Sequence, residues 1–160
     1  MSAFAYITLD KVTFQYAGKD SDAIHSVDLD IHEGEFVLLT GRSGCGKTTV
    51  ARLINGLIPH FYEGKLEGTA RVGGTETREM EIGDIGKMVG SVFQDPRSQF
   101  FMGTVGDEIA FSLENMGTDP SLTVKRVREA ASLCGIEDLL DERLTELSSG
   151  QKQRVALAAA

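Results

Sequence analysis

The stretch "EFVLLTGRSGCGKTT", residues 35–49, decides which fold this chain adopts. It opens with a short, continuous apolar run, which is typical of a strand buried on both faces of a parallel sheet. Its second part, Gly41 to Thr49, has the spacing G-x-x-x-x-G-K-[ST]. Apolar residues at helical spacing then continue up to Pro59, which ends a helix. These are Val50, Leu53, Ile54, Leu57 and Ile58. The order strand, glycine-rich loop and helix predicts a phosphate-binding loop.

The loop predicts a site for a nucleoside triphosphate. Glycines let the backbone curl so that successive N–H groups point at phosphate oxygens, and the helix that starts near Lys47 adds the positive end of its dipole. Lys47 supplies a full charge to the β- and γ-phosphates as a catalytic residue, and the Thr48 hydroxyl can ligate Mg²⁺. The predicted nucleotide-contacting residues of the loop are Gly41, Ser43, Gly44, Cys45, Gly46, Lys47, Thr48 and Thr49.

The alternative interpretation of this stretch is a glycine-rich turn without a ligand. At average residue frequencies the motif occurs by chance on the order of once in 200 chains of this length, and its flanking strand and helix make an accident rarer still. Cys45 also has two interpretations. It is either a small residue that fills the loop, or a thiol at a helix N-terminus that is readily alkylated and then blocks the site.

Composition and charge narrow the class of protein. The chain has 160 residues, 16 Lys and Arg against 24 Asp and Glu, and a net charge of −8, which argues against a nucleic-acid partner. Two distant cysteines, Cys45 and Cys134, and an N-terminus unlike a signal peptide favour a reducing cytoplasm. No apolar run approaches the roughly 18 residues that a transmembrane helix needs.

Outside the loop, strand patterns precede it and helical patterns end the chain. Residues 6–16 and 24–31 alternate like antiparallel strands, and residues 87–94 form a second apolar run of the buried type. From residue 95 onward the period is helical. The predicted organisation is a partial domain with a nucleotide-binding core over 1–95, a helical subdomain over 96–150, and the start of a further helix over 151–160.

Three further motifs accompany the loop in a fixed order. Tyr16 precedes it, Gln94 follows the second apolar run, and "LSSGQKQR" begins at Leu147. Together they resemble the ATP-binding subunit of an ABC transporter, over the whole chain. The segments "NGLIPHFYEGKLEG" and "SVFQDPRSQFFMGTVGDEIAF" are similar to the energy-coupling ATPases of vitamin and metal uptake systems. The resemblance implies an α/β P-loop NTPase fold of ABC type, with N-terminal antiparallel strands, a parallel core sheet and a helical subdomain.

The resemblance also implies a role for each motif. Tyr16 stacks on adenine, whereas a tyrosine in a strand is otherwise most often packing. Gln94 reaches Mg²⁺ and the attacking water, which makes it a metal ligand and catalytic residue; the alternative is a polar residue that ends a strand. The signature motif contacts ATP held by a second domain in a head-to-tail dimer. Its residues are Ser148, Ser149, Gly150 and Gln151.

The implied cofactors and partners are ATP with Mg²⁺, a second ATP-binding domain and a transmembrane coupling subunit at the cytoplasmic face of the membrane. Ser149 stands where the family consensus has glycine, and its Cβ narrows the approach of the backbone slightly. Phe100 and Phe101 are either core residues of the helical segment or part of the groove that receives the coupling subunit. An exposed apolar patch would favour the groove.

The family pattern continues beyond the signature helix to an apolar strand ending in Asp-Glu and then to a histidine. No apolar strand ending in Asp-Glu occurs in this sequence, and His60 lies in the wrong place for that histidine. We therefore expect the 160 residues to be a piece of an ATPase, truncated before that strand, that does not hydrolyse ATP by itself. Without the intervening strands, residues 35–40 and 88–93 are expected to expose apolar faces and unpaired edges.

Three functions follow from these motifs. The first is an ATPase subunit that powers an importer, and the acidic charge and the match around Gln94 favour it. The second is an ABC-type ATPase that acts on ribosomes or DNA. The third is a nucleotide binder without turnover. The transported substrate is not encoded in any of these motifs, because a separate membrane subunit selects it in such systems.

Overall fold

The computed structural model describes residues 5–95 and 98–160, which form two compact units, one up to Gly90 and one from Ser91 onward. The first unit contains β1 (Ala5–Tyr16), β2 (Ile24–His32), α1 (Lys47–Ile54), α2 (Leu57–His60), β3 (Gly64–Val72), β4 (Thr75–Glu76) and α3 (Ile82–Gly86). The second contains α4 (Val105–Asn115), α5 (Pro120–Cys134) and α6 (Ser149–Ala159). Short 3₁₀ turns cover Thr77–Glu79 and Glu137–Leu139.

The sheet of the first unit is antiparallel at every pairing, with strand order β2-β1-β3-β4. The alternation predicted for β1 and β2 is confirmed, because Leu9 lies opposite Leu29 and the two strands pair along most of their length. Tyr16 is the last residue of β1 and lies opposite Gly64 of β3. The pairing fixes the backbone of Tyr16 at one end of the sheet.

Helix α1 packs on this sheet through its apolar face. Val50 and Leu53 join a core cluster with the buried residues of β1, and Leu53 and Phe14 are both 0% exposed. The helix ends at Ile54, earlier than the predicted end at Pro59. Gly56, with a φ of 75°, turns the chain there, and α2 starts at the next residue.

The two apolar runs predicted as strands of a parallel core sheet are not strands in this structure. Residues 33–40 are exposed, and Phe36 keeps 95% of its surface accessible. The second run begins in a turn after α3, where Val89 N–H donates to the carbonyl of Ile85, and Val92 and Phe93 are exposed. A parallel strand forms only where a neighbour satisfies its N–H and C=O groups. Within the described residues no segment pairs with either run.

The second unit is helical, as its period predicts. Val105 and Ile109 of α4, Val127 and Ala131 of α5 and Val155 of α6 belong to one buried cluster. Helix α5 begins after Asp119, whose carboxylate accepts hydrogen bonds from the first turn, and ends at Gly135 with a φ of 62°. None of the helices in the described ranges 5–95 and 98–160 is long and apolar enough to cross a membrane.

Candidate nucleotide-binding site

The predicted phosphate loop wraps around its own lysine. Nζ of Lys47 donates hydrogen bonds to the carbonyl oxygens of Gly41 and Arg42, both at 2.8 Å, and lies 3.6 Å from Sγ of Cys45. The loop is closed further by the N–H of Cys45, which donates to the carbonyl of Arg42 at 3.2 Å. Two carbonyls at the beginning of the loop and the sulfur of Cys45 therefore surround one ammonium group.

Gly46 shows why the loop needs glycine at its junction with α1. Its φ of 95° lies in the left-handed region, and a Cβ there would lie 2.4 Å from Cγ2 of Ile24 and 2.7 Å from the carbonyl oxygen of Ala23. As the N-cap of α1 it contributes no capping side chain. The N–H groups of the first helical turn have no acceptor within the helix. These donors, together with Lys47, fit the phosphate groups of ATP.

The two threonines after Lys47 have different surroundings. Thr48 is exposed, and its hydroxyl is an oxygen donor of the kind that Mg²⁺ prefers. Thr49 is only 4% exposed, and its Oγ1 lies 3.2 Å from the hydroxyl of Tyr16. The side chain of Thr49 thus contacts Tyr16, the candidate adenine-stacking residue. If Thr49 contacts a nucleotide as predicted, it does so through its backbone N–H.

Tyr16 is half-buried and held on several sides. Its ring meets those of Phe14 and Tyr62 edge to face, at centroid distances of 4.8 Å and 6.1 Å. Nη1 of Arg52 donates to its hydroxyl at 2.9 Å. The structure therefore brings Tyr16 together with α1, the helix that starts at the phosphate loop.

Gln94 lies in the second unit, on an exposed segment. The segment is closed by Gln99, whose Oε1 accepts from the N–H of Phe93 at 3.1 Å and whose Nε2 donates to the carbonyl of Ser91 at 3.2 Å. The side chain of Gln94 is exposed, so the predicted contact with Mg²⁺ and water stays a prediction.

Phe100 and Phe101, predicted to be either core residues or part of a groove, have different surroundings. Phe100 is half-buried and packs against the core of the second unit. Phe101 is 73% exposed, and its ring stacks on Phe111 at a centroid distance of 5.4 Å. The backbone at Phe101 is held by Glu108, which is 5% exposed. Phe101 therefore remains a candidate for the groove, whereas Phe100 is a core residue of the second unit.

The signature segment forms the start of α6. Ser148 is the N-cap; its hydroxyl accepts from the N–H of Gln151 at 3.3 Å, and Oε1 of Gln151 accepts from the N–H of Ser148 at 2.8 Å. This reciprocal capping box fixes the helix start. Ser149 and Gly150 in its first turn are exposed. The motif therefore presents small residues and a helix N-terminus to solvent.

Three residues that complete these arrangements were missed in the sequence: Arg52, Tyr62 and Glu108. Arg52 lies three residues after Thr49 and so on the same face of α1, which was a usable signal. Glu108 lies three residues after Val105, on the buried face of α4, and an acid at such a position indicates a hydrogen-bonded carboxylate. For Tyr62 no local pattern points to Arg52, because the contact depends on the turn at Gly56.

Comparison with known proteins decides the family. A family model described as "ABC transporter" matches residues 24–160. The chain belongs to the ABC transporter family. This confirms the resemblance carried by the loop, Gln94 and the signature motif, and with it the α/β fold class.

Relatives of this ABC transporter chain are longer than it. A "Putative ABC transporter ATP-binding protein" of Treponema denticola is 43% identical over 152 residues, which is 95% of this chain and 31% of that protein. One of Enterococcus faecalis with the same description is 42% identical over 95% of this chain and 27% of its own length. The chain thus spans less than a third of the length of these curated relatives.

Two solved ABC structures are similar to this chain. One is cbiO1 from Clostridium perfringens, described as "Part of the ABC transporter complex cbiONQ", with a TM-score of 0.84 and 28% identity over 97% of this chain and 60% of that one. The other is a bacterial Atm1-family ABC exporter with ATP bound, with a TM-score of 0.74 and 29% identity over 98% of this chain and 28% of that one.

Proposed function

We propose that this chain is the part of an ABC transporter ATPase that binds ATP and Mg²⁺. The observation that carries the proposal is the loop from Gly41 to Lys47, which is curled around the Lys47 ammonium group at the start of a helix without a capping side chain. On nucleotide binding, the ammonium group exchanges the carbonyls of Gly41 and Arg42 for phosphate oxygens. The first-turn N–H groups of α1 bind the same phosphates.

The other predicted residues have proposed roles around this loop. Thr48 ligates Mg²⁺, which when bound neutralises charge on the β- and γ-phosphates. Tyr16 stacks on the adenine. Gln94 would contact the metal and orient water, as the family resemblance implies. The first turn of α6, Ser148 to Gln151, binds the triphosphate held by a second ATP-binding domain, for which its exposed small residues and helix N-terminus provide support.

We further propose that the transporter is an importer of the energy-coupling type. Two observations support this assignment over a ribosome- or DNA-associated ATPase. The chain is similar to cbiO1, described as part of an ABC transporter complex, and its net charge of −8 is unfavourable for nucleic acid. The exposed Phe101, whose ring stacks on the half-buried Phe111, is the proposed contact with a membrane subunit.

Nucleotide binding is tested by removing the loop lysine. Lys47→Ala is expected to weaken Mg-ATP binding by at least about tenfold, because a charge-assisted contact with phosphate is lost. Lys125→Ala is the matched control, because Lys125 is an exposed lysine of α5, far in sequence from the loop. Isothermal titration calorimetry of the full chain measures both. Equal affinity of Lys47→Ala and the unaltered protein would overturn the proposal.

The membrane contact is tested by co-purification. In the source cells, tagged protein is expected to fractionate with membranes and not with ribosomes, and Phe101→Ala is expected to reduce the membrane fraction. Phe61→Ala is the matched control, since Phe61 is also exposed, at 67%, but lies in the first unit. Recovery with ribosomes would favour the non-transport ATPase instead.

A further inference from the structure

The side chain of Tyr16 is held by a cluster that the nucleotide-binding motifs do not include. We call Tyr16, Thr49, Arg52 and Tyr62 the Tyr16 cluster. Thr49 and Arg52 both belong to α1, three residues apart and therefore on one face of the helix. Nη1 of Arg52 donates to the Tyr16 hydroxyl at 2.9 Å, and Oγ1 of Thr49 lies 3.2 Å from the same oxygen.

These two contacts fix the ring at the end opposite to its backbone. The backbone of Tyr16 is held in β1 by its pairing with Gly64. The hydroxyl accepts from Arg52, which leaves its own hydrogen free to point at Thr49. The hydrogen bonds to the hydroxyl fix the direction of the long axis of the ring, and the edge-to-face contacts with Phe14 and Tyr62 limit rotation about that axis. The ring plane, on which stacking with a planar ligand depends, is therefore held as well.

Arg52 is itself held in place by Tyr62. Its guanidinium carbon lies 3.9 Å from the centre of the Tyr62 ring, within the range of a cation–π contact, and 5.9 Å from that of Tyr16. The Tyr62 ring in turn meets Tyr16 edge to face. One face of Tyr62 is covered by Arg52, so Tyr62 serves the cluster as a support for the arginine.

We propose that Arg52 is a positioning residue for nucleobase recognition, which ties the Tyr16 ring to the phosphate-binding helix. The inference rests on the proposed nucleotide-binding function. Helix α1 carries Lys47, Thr48 and Thr49 in its first turn and Arg52 about one turn later. The same helix therefore sets both the phosphate contacts and the orientation of the ring. A ligand with a base and a triphosphate uses both the phosphate contacts and the Tyr16 ring, whereas inorganic triphosphate uses only the phosphate contacts.

The test compares two probes, Mg-ATP and magnesium with inorganic triphosphate, on the full chain. In the unaltered protein Mg-ATP is expected to bind more tightly. Arg52→Met is expected to weaken Mg-ATP binding by about tenfold, as for the loss of one hydrogen bond to a charged group, and to leave triphosphate binding unchanged. Arg52→Lys keeps the positive charge and can still donate a hydrogen bond, so it should retain part of the difference in affinity between Mg-ATP and triphosphate.

Two further variants make the result specific. Tyr16→Phe removes only the hydroxyl group and keeps the ring, so we expect it to fold. It should give the same loss of affinity for Mg-ATP without a loss for triphosphate. Combined with Arg52→Met it should add little further loss, because both changes break the hydrogen bond between Arg52 and Tyr16. Arg71→Met is the matched control, since Arg71 is an exposed arginine of β3. It should leave the affinities for both probes unchanged.

The outcomes separate the inference from the function on which it rests. If the unaltered protein bound neither probe, the nucleotide-binding function itself would be wrong. If it bound both but Arg52→Met and Tyr16→Phe weakened the two probes equally, Arg52 would serve only the packing of α1 and the inference would fail. Unchanged affinities for both probes in these variants would overturn it as well. A loss confined to Mg-ATP supports it.

Discussion

The carboxylate of Glu108 holds the backbone at Phe101. Its Oε2 accepts hydrogen bonds from the N–H groups of Phe101 at 2.9 Å and of Met102 at 2.8 Å, and the glutamate is 5% exposed. A buried carboxylate is stable only when it is hydrogen-bonded, and two backbone donors meet that need. The first turns of α4 thus determine where the exposed Phe101 ring stands.

Replacing Glu108 by alanine is expected to destabilise the protein by about 2 to 3 kcal/mol, because two backbone donors lose their charged acceptor. Glu108→Gln keeps a carbonyl oxygen in the same place and should lose less. Urea unfolding of the full chain gives the two values. Hydrogen exchange of the Phe101 and Met102 amides should be faster in Glu108→Ala. Equal stability of the alanine and glutamine variants would contradict this role.

Local patterns in the sequence predicted local structure well. The alternation of residues 6–16 predicted β1, because a period of two depends only on neighbouring side chains. The two ends of α5 are local features of this kind, since the Asp119 carboxylate accepts hydrogen bonds from the first turn and Gly135 adopts the left-handed conformation at the C-terminus. The spacing of residues 41–49 likewise predicted a glycine-rich loop before α1. Helix α6, by contrast, starts at Ser149, two residues before the predicted residue 151.

Contacts between residues far apart in the sequence could not be predicted from such local patterns. The runs at residues 35–40 and 88–93 have the composition of buried strands, but composition does not name the partner that a strand needs, and neither run pairs in the structure. The contact of Arg52 with Tyr16 joins residues 36 positions apart. Such a contact follows only from the packing of α1 on β1, which no local period encodes.

The core under the phosphate helix predicts a contrast between two leucines. Leu53 of α1 is 0% exposed and Leu133 of α5 is 89% exposed. Leu53→Ala is expected to destabilise the protein by about 2 to 5 kcal/mol through lost burial and a residual cavity. Leu133→Ala should change stability by less than about 0.5 kcal/mol. Urea unfolding measures both, and similar losses would show that α1 is not packed as described.

The signature helix predicts a second contrast, between neighbouring serines. Ser148→Ala removes the N-cap of α6 and half of its capping box, and should cost about 1 kcal/mol of stability. Ser149→Ala should cost much less, because Ser149 is exposed in the first turn and alanine favours helix. Thermal unfolding of the two variants checks the order. A larger loss for Ser149→Ala would place the helix start one residue later.

The loop cysteine is expected to react faster than the other one. Cys45 is exposed beside the Lys47 ammonium group, whereas Cys134 is half-buried in α5. Iodoacetamide should therefore label Cys45 first, and Mg-ATP should slow its labelling if the loop binds phosphate. Peptide mass spectrometry over time gives both rates. Protection of Cys134 but not Cys45 by Mg-ATP would contradict the proposed site.

The cap of α5 predicts a stability term that depends on pH. Hydrogen bonds from the Ser121 hydroxyl, and then from the N–H groups of Ser121 and Leu122, lower the pKa of Asp119 below its ordinary 3.8. A carboxyl group whose pKa is lower in the folded protein stabilises fully above the unfolded value and loses this contribution as the pH falls through the folded value. The cap therefore contributes at neutral pH and weakens below 3.8.

The variants Asp119→Ala and Asp119→Asn separate the charge from the cap. Asp119→Ala is expected to lower Tm at pH 7, and the difference from the unaltered protein should shrink as the pH falls below 3.8. Asp119→Asn also caps helices well but does not titrate, so its Tm should stay above that of the alanine variant at every pH. Circular dichroism melts across this range measure all three proteins. A constant difference between Asp119→Ala and the unaltered protein down to the lowest pH would show that the Asp119 carboxylate does not carry the cap.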